Sequence, residues 1–327
     1  MRTRWIIYIG MLVVALIGCT TDDMDSNMVH VEAIEMKGFE AVIESGTSQA
    51  STRGTVTTLV DYVGRNAFVE NDQVVFTTIK RTDNPIAAFT YSDITFNHDG
   101  SKWNKASATN LYWSDATNGH TFIGYSLPQG TFDWTPSEDN YIGTIGNDGD
   151  VVFSSSDDLK NEDLLITHNT TLTAQACNGT PSLSFHHALS SVRVVLTISG
   201  IPSGTSATVS DMTLLHQPTK YVWDQTSWDV KPVTTDQERK DFKLWAASNT
   251  SNTFTYYGMV VPQSSEYLSN DTYAPGTNKN AELTFKVTYT TTTPASSTEK
   301  TYTASQADAV FEPGYNTTIN ISITAPH

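Results

Sequence analysis

The closing run of this chain, Thr318-Ile319-Asn320-Ile321-Ser322-Ile323, alternates aliphatic and polar residues without a break. Alternation of that kind sends Ile319, Ile321 and Ile323 to one face of an extended strand and the polar residues to the other. Similar short runs recur along the chain: Val74-Val75-Phe76-Thr77-Thr78-Ile79, Thr121-Phe122-Ile123-Gly124-Tyr125, Val192-Arg193-Val194-Val195-Leu196-Thr197-Ile198, Thr253-Phe254-Thr255-Tyr256-Tyr257 and Leu283-Thr284-Phe285-Lys286-Val287-Thr288-Tyr289. They are rich in β-branched and aromatic residues, which fit a pleated surface. Between them lie Asn97-His98-Asp99-Gly100, Asn147-Asp148-Gly149-Asp150, Pro202-Ser203-Gly204 and Pro313-Gly314, all turn formers. Long amphipathic helical stretches are scarce. Short strands at regular spacing with Gly/Pro turns predict an all-β chain of β-sandwich type. Asn178-Gly179-Thr180-Pro181 interrupts the pattern near the middle, and Ser184-Phe185-His186-His187-Ala188-Leu189 restarts it. The expected organisation is an N-terminal sandwich over residues 31–180 and a C-terminal one over 181–327, and 327 residues are enough to give each a core.

The N-terminus follows different rules. Arg2 and Arg4 precede an uncharged apolar run from Trp5 to Ile17, and Leu16-Ile17-Gly18-Cys19 closes it ahead of Thr20-Thr21-Asp22-Asp23. An apolar run of roughly 13 residues has the length of a signal-peptide core and falls short of the ~20 that span a bilayer as a helix. A cysteine directly after Leu-Ile-Gly reads as a bacterial lipoprotein signal, with residues 1–18 removed, lipid placed on Cys19, and residues 19–30 serving as an acidic, polar tether. An ordinary secretory signal with a chance cysteine is the alternative. Both readings send the rest of the chain out of the cytoplasm, the first to the outer membrane.

Charge narrows the partners. The chain has 19 Lys+Arg against 35 Asp+Glu and a net charge of -16. Such a surface repels phosphate backbones, so no nucleic-acid partner is expected. With Cys19 lipidated, Cys177 has no partner in the chain, and a disulfide framework is excluded.

No chemistry-bearing motif survives a search for a His-Glu-x-x-His helix, a Cys-x-x-Cys pair, a Gly-x-Ser-x-Gly elbow or a phosphate-binding glycine loop. No catalytic residue, metal or cofactor is therefore expected, and the chain reads as a non-enzyme. His186-His187 would tempt a metal assignment, but neighbours on a strand face opposite ways and cannot easily share one ion. The turns at 97–100 and 147–150 lack the ligand spacing that an EF-hand would need. Trp103, Trp113, Trp134, Trp223, Trp228 and Trp245 suit core or loop packing. Trp223-Asp224 and Trp228-Asp229 leave open a second use, stacking on sugar rings.

Several segments together resemble one family, the fimbrillin-like subunits of type V pili on Bacteroidetes. They are Phe39-Glu40-Ala41-Val42-Ile43 with the loop ending Thr52-Arg53-Gly54-Thr55, Asn71-Asp72-Gln73-Val74-Val75-Phe76, and Leu111-Tyr112-Trp113 ahead of Thr121-Phe122-Ile123-Gly124-Tyr125. Asp163-Leu164-Leu165-Ile166, the run Leu183 to Val194, and Phe311-Glu312-Pro313-Gly314-Tyr315-Asn316-Thr317 continue the match in the family's order. The resemblance implies two tandem transthyretin-like β-sandwich domains. It also implies a lipoprotein precursor that is cut after Arg53, leaving Gly54 as the new terminus and removing a strand within Phe39–Glu44. A strand from another subunit would then fill the opened groove, making other pilus subunits the expected partners and the fimbrium the final location. Ile319, Ile321 and Ile323 are the candidate donor strand, with the last strand of the chain's own domain as the alternative. The short tail Thr324-Ala325-Pro326-His327 leaves room for a tip or accessory subunit with host or bacterial surface ligands. A permanently lipid-anchored glycan-binding protein is the rival reading.

Overall fold

The structure, a computed structural model, describes residues 34–44, 63–127, 135–137, 140–146, 150–225, 230–233, 239–250, 252–263, 280–307 and 309–326. All of them fall within one compact unit, Ala33–His327. In chain order the strands are β1 (Ile34–Glu35), β2 (Glu40–Ile43), β3 (Gln73–Arg81), β4 (Ile94–His98), β5 (Trp103–Lys105), β6 (Tyr112–Trp113), β7 (His120–Leu127), β8 (Thr135–Ser137), β9 (Asn140–Thr144) and β10 (Val151–Val152). A helix, α1 (Ser156–Glu162), precedes β11 (Leu165–Leu172), β12 (Ser182–His187), β13 (Ser190–Ser199), β14 (Thr205–Pro218), β15 (Lys220–Asp224) and β16 (Val230–Pro232). The remainder are β17 (Arg239–Lys243), β18 (Trp245–Asn249), β19 (Thr253–Val260), β20 (Asn280–Thr292), β21 (Ala295–Ala307) and β22 (Asn316–Thr324). The all-β expectation is met.

Two apolar cores organise these strands. The first is built on a seven-stranded sheet of order β2-β12-β11-β7-β3-β4-β5, together with the β1–β6 pair. It gathers Phe39, Val74, Phe76, Ile79, Phe96, Leu111, Trp113, Phe122, Leu183 and Phe185. The second lies between a five-stranded sheet, β10-β17-β14-β20-β21, and a four-stranded one, β18-β19-β13-β22. Every second residue of β13, from Val192 through Val194 and Leu196 to Ile198, is fully buried there. Another four-stranded sheet, β16-β15-β9-β8, adds Tyr221 and Trp223 to the second core. Strands from before residue 180 reach into this half: β9 pairs with β15, and β10 runs parallel to β17.

Local chemistry explains the long β14. It pairs with β20 at one end and β17 at the other, and two irregularities bend it between them. Asp211 and His216, with positive φ values of 54° and 56°, sit at those breaks. An extra residue in one strand must turn out of the ladder, and a short polar side chain tolerates the left-handed backbone better than a branched one. The Asp211 carboxylate uses its exposed position to take Lys243 Nζ at 2.8 Å and Lys286 Nζ at 3.3 Å. The only α-helix among the described residues, α1, opens on a capping box. Ser155 Oγ accepts the Asp158 N–H, and the Asp158 carboxylate accepts the Ser155 N–H. Its last residue, Glu162, accepts the Gly146 N–H, while its Oε2 is buried without a donor among the described residues. Burial, more than the Asp158 charge, pushes this carboxyl up to about 7.

Candidate functional site at the N-terminal edge strand

Residues 34–44 form an extended ribbon that meets two different neighbours. Its first half pairs antiparallel with β6, Ile34 opposite Trp113, and the Met36 N–H continues the bonding to Leu111 O at 2.8 Å. Its second half, β2, lies parallel to β12 from Ser182↔Glu40 to Phe185↔Ile43. The Glu40 and Glu44 N–H groups close that ladder on Pro181 O and Phe185 O, at 2.8 and 2.9 Å. Among the described residues, β2 is an edge strand of the seven-stranded sheet, bonded on one side only. Its burial alternates, with Ala41 and Ile43 half-buried against the core and Val42 56% exposed. The expected strand within Phe39–Glu44 is thus present and lies in the sheet.

Phe39, just ahead of β2, is one of the ribbon's two buried side chains, Met36 being the other. Its ring stands edge-on to Phe76 and Phe96, with centroids 5.1 and 4.9 Å away, and stacks on Trp103 at 5.2 Å. Phe68 extends the aromatic lining, touching Trp103 at 5.1 Å and Phe185 at 5.3 Å. Edge-to-face rings at such separations gain about 0.5–1.5 kcal/mol per pair beyond the area they bury.

A buried polar hub holds the chain where it re-enters the fold. The Arg65 N–H donates to Asp163 Oδ2 at 2.6 Å, and its guanidinium donates to Ser126 Oγ, Ser126 O and Asp163 O at 3.0, 2.9 and 2.9 Å. Asp72 lies 3.6 Å from the same guanidinium, and His187 Nδ1 sits 2.9 Å from both Asp163 oxygens. Three chain segments that bridge the two cores meet here. Leu164 and Ala188 belong to the second core and Leu165 to the first, with Asp163 and His187 beside them. Neither Arg65 nor the hub role of Asp163 was expected from sequence. The signal available was an arginine in a loop flanked by Val63 and Phe68, which does not name its partners.

The other sequence-predicted positions fall as follows. Cys19, Arg53 and Gly54 lie outside the described residues. Ile319 and Ile321 are buried in the second core, and Ile323 is packed against it, all from β22 parallel to β13 at that sheet's edge. The two adjacent histidines do face opposite ways: His187 is buried on Asp163, whereas His186 is half-exposed with Nδ1 3.5 Å from Glu44 Oε2. Among the described residues no His/Cys/Asp/Glu group could hold a metal ion. At the 97–100 turn, Asp99 is occupied by Asn104, Lys102 and Ser101, whose hydrogen bonds hold its carboxyl well below the usual range. The 147–149 turn lies outside the described residues. Trp103, Trp113 and Trp223 are buried, the last beside Tyr125 and Tyr141. Trp134 and Trp228 are outside the described residues. Cys177 is half-buried, and burial pushes its thiol up, away from the reactive thiolate form.

A candidate cell-adhesion protein from Bacteroides ovatus is 14% identical over 89% of this chain and 92% of its own, with a TM-score of 0.49. Another from Bacteroides uniformis is 12% identical over 91% and 94%, with a TM-score of 0.46. The fimbrial anchor protein Mfa2 from Porphyromonas gingivalis is 7% identical over 90% and 91%, with a TM-score of 0.40. No curated protein sequence matches the chain. The fimbrillin-like family matches residues 52–327, most of the length. The chain belongs to the fimbrillin-like family, whose members are structural subunits of cell-surface fimbriae rather than enzymes.

Proposed function

We propose that this protein is a pilus subunit exported as a lipoprotein precursor, cut after Arg53, and assembled when another subunit's strand takes the place of residues 34–44. The observation that carries this reading is the edge position of β2. Losing an edge strand leaves the rest of the sheet's ladder intact, whereas losing a central strand would divide it. Departure of the ribbon would bare backbone groups of β12 and of Leu111–Trp113 beside a slot lined by aromatic rings. A donated strand would restore those hydrogen bonds and fill the slot with alternate side chains. In this scheme Cys19 carries the lipid at the outer membrane until the cut releases Gly54 as the new N-terminus.

On the donor side, Ile319, Ile321 and Ile323 have the correct period, but they are engaged in their own core. A strand so committed must first be released before it can be given away. That favours a terminal position for this subunit, at a tip or as an accessory, over a place inside a stalk. Mass spectrometry of surface-extracted protein tests the scheme. A mature terminus at Gly54 is expected, and a chain retaining diacylated Cys19 overturns it. Arg53→Ala should remain monomeric and lipid-bound; its entry into SDS-resistant polymers would defeat processing at this loop.

A further inference from the structure

The geometry points to a selective groove: it fits an incoming strand whose inward residues run aromatic, small, aliphatic at alternate positions, and the aromatic ring is the side chain it selects. This rests on the strand-replacement reading and specifies the partner for it. Phe39, Ala41 and Ile43 occupy those three inward positions now. The first is seated among Phe76, Phe96 and Trp103, two edge-on and one stacked. That seat is three-sided and made of ring faces and edges, so a flat ring satisfies it and a branched aliphatic leaves ring surface uncovered. The second position, filled by a methyl group, lies half-buried on the parallel ladder with β12. The third, Ile43, stands opposite Phe185, whose ring in turn meets Phe68.

Two further constraints follow from the ribbon's double pairing. A strand that reproduces it must offer an N–H to Leu111 O, as Met36 does, and then run parallel to Ser182–Phe185. The occupant is therefore an extended segment of about eleven residues with its ring near the middle, at ~3.3 Å per residue. The chain's own β22 does not offer this: Ile319, Ile321 and Ile323 put branched aliphatics in all three positions. The groove is matched to the strand of a different subunit, one that carries a ring, and not to a second copy donating those isoleucines.

Peptide competition tests this. The full-length protein is nicked at Arg53 with an arginine-specific protease and given labelled peptides, and incorporation is followed by native mass spectrometry. The probes are the peptide of residues 34–44, its Phe39→Leu and Phe39→Ala versions, and the peptide of residues 317–325. Relative to the parent peptide, we expect incorporation to fall about tenfold with leucine, and about a hundredfold with alanine or the isoleucine peptide. Equal incorporation of the phenylalanine and leucine peptides overturns ring selection while leaving strand replacement standing. If nicking is complete and no peptide displaces residues 34–53, strand replacement fails and this inference fails with it. Trp103→Ala, made in the protein, should narrow the gap between the phenylalanine and leucine peptides; an unchanged gap also counts against the ring seat.

Discussion

β2 and β22 are both edge strands laid parallel to their neighbours, yet they hold to the fold in different ways. β22 is nine residues long, with Ile319 and Ile321 buried and its ladder running the length of β13. β2 is four residues long and exposes Val42, and the ribbon's two buried side chains, Met36 and Phe39, stand ahead of it. Burial is spread along the first and lies mostly ahead of the second. An attachment that rests on few side chains can keep a strand seated and still be undone by the loss of few contacts. That is a useful property for a segment that, on the proposed scheme, has to leave.

The widest test of this contrast is a buried charge in each strand. Ile319→Asp should cost roughly 4–5 kcal/mol or abolish folding, because an unpaired carboxylate would sit inside the second core. Ala41→Asp, half-buried at an edge, should cost about 1 kcal/mol. Urea unfolding measures both, and equal losses would break the comparison. Next comes the anchor itself. Phe39→Ala should cost about 3 kcal/mol. By hydrogen exchange it should unprotect the Glu40 and Glu44 amides while leaving those of β22 protected; loss of protection in both strands would show that they are coupled.

A pH experiment sharpens the contrast from the other side. Glu162 lies beside the second core, and its carboxyl stands near 7 against an ordinary 4.5. A folded value raised in this way means that the fold holds the proton more tightly than the unfolded chain does. The associated stability is present below about 4.5 and lost as pH rises through about 7, a matter of roughly 2 kcal/mol for a partly buried carboxyl. Glu162→Gln should therefore stabilise the protein by about that amount at pH 8 and leave it unchanged at pH 4, as read from urea midpoints. Protection of β22 should follow the pH change more than protection of β2. The smallest effect belongs to Val42→Thr, a surface exchange between β-branched residues, expected within about 0.5 kcal/mol.

The two strands also differ in how far sequence reveals them. The alternation of Ile319, Ile321 and Ile323 is a local signal, and so the burial of β22 could be anticipated. The opposed histidines follow equally from the pleat. The ring seat of Phe39 is not local: Phe76, Phe96 and Trp103 come from β3, β4 and β5, and no spacing along the chain announces that they converge. The hub is harder still, since Arg65 finds Ser126, Asp163 and, through Asp163, His187 across long separations. Pairing of β9 with β15 and of β10 with β17 was equally hidden, because periodicity states which face is apolar and not which strand lies alongside.

The Arg65 hub sets a leash. With its backbone and guanidinium held on Asp163 and Ser126, Arg65 is a fixed post, and under the proposed cut a chain beginning at Gly54 would have only eleven residues in front of it. At full stretch that is no more than about 40 Å. Any second contact made by a terminus cut there must lie within that radius of the post.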